Sequence, residues 1–170
     1  SRLAFLSFRS GGGDIYSQAA AGGTPTRHTD HSAYDSAPFW SPDGTRLLFT
    51  SERTGNSEIF MLEVATGALV QVTDDPAYDD RPAWSPDGRW IAFDSDRSGR
   101  RNIWIQPAGG GDATRLTGDP DGGTMADWSP DSHELAFVCG QPGRIWVLTL
   151  EVHTPVEPVS WGRLKALHGP

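Results

Sequence analysis

The sequence has a single cysteine, Cys139. One thiol forms no intrachain disulfide and no zinc cluster. Its place after Phe137 and Val138, in an apolar run, predicts a buried structural thiol and leaves the compartment unread. No apolar run approaches the ~18 residues of a membrane-spanning helix, so membrane insertion is not expected. Basic charge is scarce: 14 Lys and Arg stand against 22 Asp and Glu, a formal net charge of −8. Such a chain repels phosphate backbones, which argues against a nucleic-acid partner. Catalytic signatures are missing as well. There is no G-x-S-x-G elbow and no G-x-x-x-x-G-K loop. His133-Glu134 is followed by Leu135, Ala136 and Phe137, so the second histidine of H-E-x-x-H is absent. Asp74, Asp75, Asp79 and Asp80 cluster without the spacing of an EF-hand. Ser, His and Asp are plentiful, but no triad aligns. The expectation is a chain that is not an enzyme and carries no cofactor or metal. No signal peptide is visible, and Ser1 opens inside what reads as a strand, as in a chain cut from something longer.

Against these absences stands a repeat. Trp40–Gly44 and Trp84–Gly88 both read WSPDG, and Trp128–Ser132 reads WSPDS; each begins 44 residues after the last. A shift of 44 also aligns Phe5, Phe49, Phe93 and Phe137, then Arg9, Arg53 and Arg97, then Gly11, Gly55, Gly99 and Gly143. Ile15, Ile59 and Ile103 each precede an aromatic, and Thr29, Thr73 and Thr117 close the units. A period of this length marks solenoids, propellers or arrays.

Each unit holds four strand signals. In the third, Arg81–Trp84 is a short strand opened by Pro82, which cannot donate to a ladder. Ser85–Gly88 is a tight turn, with φ preset by Pro86 and a side-chain acceptor in Asp87. Arg89–Ser95, Asn102–Ala108 and Asp112–Thr117 read as three further strands. No segment shows sustained helical periodicity outside the last few residues. The fold class is therefore all-β: a β-propeller of about four four-stranded antiparallel blades. The units fall at roughly 1–36, 37–80, 81–124 and 125–157, with a tail over 158–170. The seven tryptophans read as core, with Phe93, Trp104 and their equivalents packing between blades.

The composite pattern resembles the WD40-like repeat of TolB-type β-propellers: Pro82-Ala83-Trp84-Ser85-Pro86-Asp87-Gly88, then Phe93–Gly99, Ile103-Trp104 and Leu116-Thr117. The similarity covers about residues 1–150. It implies a binding scaffold of the bacterial envelope, periplasmic or secreted, whose partner is a protein or peptide. Similar propellers also accompany prolyl-oligopeptidase-type hydrolases or form metal-dependent sugar lyases, which supplies the alternatives: a substrate-docking propeller of a larger hydrolase and, behind it, a lyase. The fourth unit departs from the pattern, with Ser132 for Gly, Gln141 for Arg and Ala126 for Pro. Pro158–Trp161 looks like a further first strand. The residues leave open whether it completes the N-terminal blade of a four-bladed ring, or whether the chain belongs to a larger ring or self-associates.

Strand directions place the turns between second and third strands on the same face as the links between units. That face gathers Asp30, Asp35, Asp74, Asp75, Asp79, Asp80, Asp119 and Asp121 with Arg9, Arg53, Arg81, Arg97, Arg100 and Arg101. The binding site expected there consists of His31, Tyr34, Asp35, Asp75, Tyr78, Asp79, Asp80, Arg81, Arg100 and Arg101, with the two tyrosines as amphipathic anchors. The repeated Arg and Asp also suit a structural role, the arginine pairing a carboxylate and Asp35 and Asp79 capping the links. Residues that do not repeat, His28, His31, Asp80, Arg81, Arg100 and Arg101, are the sharper functional candidates.

Overall fold

The computed structural model describes residues 1–118, 122–139, 143–151 and 160–166. Among these residues every regular element is a strand. The first sheet has three strands in the order β1 (Arg2–Ser7), β2 (Asp14–Ala19), β3 (Thr26–Arg27). The second runs β4 (Asp35–Trp40), β5 (Arg46–Ser51), β6 (Glu58–Glu63), β7 (Leu69–Gln71). The third runs β8 (Asp79–Trp84), β9 (Trp90–Ser95), β10 (Asn102–Pro107), β11 (Thr114–Arg115). The fourth runs β12 (Thr124–Trp128), β13 (Glu134–Cys139), β14 (Arg144–Glu151), β15 (Ser160–Ala166). The strand registers are antiparallel, and the order within each sheet follows the chain, the cheapest connection for successive strands.

Two differences from the sequence reading stand out. Strands β4 and β8 begin at Asp35 and Asp79, ahead of the expected unit starts, because the residue before the bulge already pairs: Asp35 lies opposite Ser51. The tail segment around Trp161 does not complete the N-terminal sheet. Strand β15 instead returns antiparallel along β14, with Leu150 opposite Trp161 and Glu151 opposite Ser160, and so forms the outer strand of the fourth sheet. The pairing of β15 covers that edge of β14. Pro158 and Val159 lie outside the described residues.

The WSPDG segments are the corners between first and second strands. In the second corner the Ser85 hydroxyl donates to Asp87 (2.5 Å), and the Arg89 amide donates to the same carboxylate (3.0 Å). The Trp90 amide donates to the Ser85 hydroxyl oxygen (2.9 Å). The same three bonds recur around Ser41 and Asp43 and around Ser129 and Asp131. The fifth residue is left-handed in all three corners: φ is 70° at Gly44, 72° at Gly88 and 64° at Ser132. Glycine takes this conformation without cost. Ser132 takes it while its hydroxyl oxygen accepts the Asp87 amide at 3.0 Å.

The bonds from Ser41 and from the Thr45 amide and hydroxyl hold the Asp43 carboxyl down to about 2. Because the folded value lies below the unfolded one, this contribution to stability is present above pH ~4 and is lost as pH falls through about 2. The Asp43 carboxyl carbon should therefore titrate with a midpoint near 2 by NMR, and Ser41→Ala should raise that midpoint toward the ordinary aspartate value.

The chain divides into two compact units, Ser1–Pro82 and Ala83–Pro170. In the first, Ile15, Leu47, Phe49, Phe60 and Leu62 form a core shared by two sheets, with Ala4, Trp40 and Val64 against it. In the second, Ile103, Ile105 and Leu116 of the third sheet pack with Trp128, Leu135, Phe137, Cys139 and Leu148 of the fourth. There the Trp128 indole donates to the Ala83 carbonyl at 3.3 Å. Trp84 and Trp128 are buried, and so is the Cys139 thiol.

A second backbone feature repeats without a repeated residue. Ala37, Arg81 and Met125, 44 apart, have φ of 47°, 52° and 58°. Strands β4 and β12 shift register at this place, between Ser36 and Phe39 and between Thr124 and Asp127. Such a bulge re-aims the strand. The Met125 N–H donates to Asp94 of the preceding sheet's second strand at 3.0 Å, whereas the Arg81 N–H donates to its neighbour Asp80 at 2.8 Å and to the Thr50 hydroxyl oxygen at 3.3 Å.

Candidate functional site

The links between sheets are built by side chains of the third strands and the turns before them. Glu58 is buried, yet its carboxylate accepts the Asn56 amide (2.8 Å), the Thr73 hydroxyl (2.6 Å) and the Asp75 backbone N–H (3.1 Å). Asn56 also donates to the carbonyls of Asp75 (2.8 Å) and Ala77 (2.6 Å). The link 74–78 is thereby fixed from below. At its end the Asp79 amide donates to Ser57 O (2.8 Å). The preceding link is fixed likewise: Asp35 N–H donates to Gly13 O (2.9 Å), and Glu52 N–H to Tyr34 O (3.1 Å). In the second unit Gly123 N–H donates to Arg101 O (2.9 Å). Within each unit, links and second-to-third-strand turns therefore share one end of the sheets, as strand direction requires.

The repeated arginine is a structural clamp. The Arg53 guanidinium stacks over Phe49 (5.4 Å) and Phe60 (4.8 Å), and Nε donates to the Ser51 hydroxyl (2.8 Å). Its Nη2 donates to both oxygens of Asp35, each at 3.1 Å. Arg97 repeats the stacking over Phe93 (5.4 Å) and Trp104 (4.8 Å), and the bond to Ser95 (3.0 Å). Two of the expected binding residues, Asp35 and Asp79, are 0% exposed. They lie beneath the surface, and Asp35 is consumed by the clamp.

Other expected residues stand at the surface. Tyr34 and Tyr78 occupy the same place in successive links and are 39% and 53% exposed. Tyr34 stacks on Phe8 with centroids 6.1 Å apart. It also lies so close over Gly13 that a Cβ there would come within 2.4 Å of the ring. Arg81 is exposed and Asp80 half-buried; the Asp80 carboxylate accepts the Thr50 hydroxyl (3.0 Å) and the Arg81 N–H (2.8 Å). Asp75 is half-buried and caps its own link, accepting the Ala77 N–H at 2.9 Å. In the second unit Arg100 is exposed and Arg101 half-buried. Asp119 and Asp121 lie outside the described residues.

His28 and His31 meet in a pocket of about 190 Å³ in the first unit, lined also by Thr29, Asp30, Arg53, Leu62, Gly67 and Leu69. The His28 ring contacts the Ser17 hydroxyl (2.7 Å) and sits edge-on to Trp40 (6.2 Å). Burial, aided by Arg2, lowers the His28 pKa, which favours the neutral ring. His31 is exposed and accepts the Ala33 N–H at 3.0 Å. Among the described residues no three His, Cys, Asp or Glu side chains gather as a metal site.

Sequence reasoning missed Glu58 and Asn56. The signal was available at the repeat shift: Asp14, Glu58 and Asn102 are equivalent, all polar, and all at most 4% exposed. Each lies one residue before an isoleucine whose amide donates to the closing threonine, at 2.9, 2.8 and 3.0 Å.

Comparison with known proteins agrees with this architecture. The TolB β-propeller domain model matches residues 1–160, and the chain belongs to that family. The fold is thus an all-β propeller fold built from antiparallel sheets. A putative TolB from Agrobacterium tumefaciens is 25% identical with a TM-score of 0.83, covering 97% of this chain and 60% of that one. TolB from Acinetobacter baumannii is 28% identical with a TM-score of 0.80, covering 98% and 40%. The chain therefore spans between two fifths and three fifths of these relatives' lengths. A structure of a nidogen/laminin complex (16% identity, TM-score 0.75, covering 99% and 60%) shares the fold. Peptidase structures share it too, among them the tricorn protease at 13% identity. No protein of curated function matches the sequence. Among the described residues no helix is long and apolar enough to cross a membrane.

Proposed function

We propose that the chain is a non-enzymatic scaffold that binds a protein or peptide through the loop end of its sheets, in the bacterial envelope. The observation that carries this reading is the pair Tyr34 and Tyr78: large, exposed at 39% and 53%, and set on links that buried hydrogen bonds hold in place. A tyrosine so braced offers contact area at small entropic cost, the property of an interface anchor. Arg81 and Asp80 beside Tyr78 supply the polar rim. Membership of the TolB family supports a periplasmic or secreted location and a protein partner. The buried Asp35 and Asp79 act here as supports.

The test is affinity capture from an envelope extract with the wild-type chain and with Tyr34→Ser/Tyr78→Ser. Loss of both anchors should reduce the captured partner at least about tenfold, while the melting temperature stays close to that of the wild type. Equal capture by both baits refutes the loop-end site.

A further inference from the structure

The pocket of the first unit is lined by His28 and His31 from the link after β3 and by Arg53, Leu62 and Leu69 from the second sheet. The repeat sets His28 apart. His28, Val72 and Leu116 are equivalent, and each amide donates to an isoleucine carbonyl at 2.8 Å. The side chain that His28 touches follows the same shift: Ser17 stands where the other copies have Met61 and Ile105. Two copies are apolar at both places, with Ile105 and Leu116 buried. The first copy instead holds a buried serine against a half-buried histidine at 2.7 Å.

The protons in this cluster follow from its hydrogen bonds. The Ser17 oxygen accepts from Arg2 at 3.0 Å. Its hydroxyl has no acceptor among the described residues other than His28 Nε2, so it donates there, and the neutral ring carries its proton on Nδ1. In His31 the assignment is reversed. Nδ1 accepts the Ala33 N–H at 3.0 Å, which leaves the proton on Nε2. Arg53 spends Nε on Ser51 and Nη2 on Asp35. His28 Nδ1, His31 Nε2 and Arg53 Nη1 therefore remain as N–H donors without an acceptor among the described residues, on three residues that line one pocket.

Donors grouped in this way suit an anionic acceptor, and the two leucines suit an aliphatic body. A volume of about 190 Å³ lies below the ~300–1,000 Å³ of sites for drug-sized ligands, so the body is short. Asp30, exposed at the same pocket, opposes a second negative charge.

We propose that this pocket binds a small aliphatic monocarboxylate, its oxygens held by His28, His31 and Arg53 and its chain laid on Leu62 and Leu69. A free acid and the last residue of a polypeptide both carry this group. The site rests on none of the evidence for the tyrosine pair, and either can fail without the other.

The test is an NMR titration of the whole chain with isovalerate, for the free acid, and with N-acetyl-leucine, for a chain end. At least one should give saturable shifts at the His28 ring and the Leu69 methyls, with a Kd of about 1 mM. Binding of isovalerate assigns a free acid, and binding of N-acetyl-leucine alone assigns a chain end. Nitrogen NMR of the ligand-free chain should show the His28 proton on Nδ1. His28→Phe keeps the ring and removes the donor, and should weaken binding about tenfold. Leu69→Trp should fill the pocket and abolish binding; Leu69 is 41% exposed, so the fold tolerates the change, which circular dichroism verifies for both variants. Absence of saturable shifts with either compound up to about 10 mM, well beyond that Kd, overturns the proposal. So does unchanged affinity in both variants, or succinate binding as tightly as isovalerate.

Discussion

Arg53→Ala is expected to destabilise the fold by about 3–5 kcal/mol, the cost of breaking a buried ion pair from one side. Asp35 is 0% exposed, and both its oxygens accept from the single Arg53 nitrogen at 3.1 Å. Removing the guanidinium strands that carboxylate and also strips the cation from over Phe49 and Phe60. The double variant Arg53→Met/Asp35→Ala should recover a large part of the loss, because it replaces the pair by apolar groups and leaves no buried charge alone. Urea denaturation of the two single variants and the double one measures the coupling. Additive losses would show that the clamp is not a unit.

Glu58→Ala should cost about 2–4 kcal/mol, because hydrogen bonds to a buried charge are each worth roughly 1.5–3 kcal/mol. It leaves the Asp75 N–H without its acceptor and takes from Asn56 and Thr73 the carboxylate they share. The effect should be local as well as global. Amide exchange in residues 74–78 should speed up more than in β5, since Asn56 alone would still hold the carbonyls of Asp75 and Ala77. Glu58→Gln keeps one acceptor and should lose less. If exchange rises evenly through the whole second sheet, the carboxylate supports the sheet rather than the link.

The strands and corners were legible because their chemistry is local. Ser-Pro-Asp-Gly builds its own turn, and the short, mostly apolar run over Trp90–Ser95 marks the strand it leads into. The outer strands were less so. The segment 112–117 contributes only Thr114–Arg115 as strand, because Leu116 and Thr117 turn inward, their amides both donating to Ile103 O. The end of the chain was the least legible, since β15 follows no repeat and its pairing with β14 depends on an edge that no short motif announces. For the site, the link positions of Tyr34 and Tyr78 could be read from strand direction. The burial of Asp35 and Asp79 could not, because a buried carboxylate looks like an exposed one until its cation is located. Glu58 escaped for the same reason.

The left-handed residues at 37, 81 and 125 bear on how far the units can be shuffled. An amide turned aside by the bulge finds its oxygen in different places: Met125 uses Asp94 of the sheet before it, whereas Arg81 uses its own neighbour Asp80 more closely than Thr50. The matching place in the first sheet is Leu6, which has no oxygen to lend. Ala37 stands behind that leucine already, but a fourth-sheet segment rejoined there would lose the carboxylate that its Met125 amide uses. The segment around Met125 is therefore keyed to its neighbour, and an engineered extension that reuses it should keep a carboxylate at the position of Asp94.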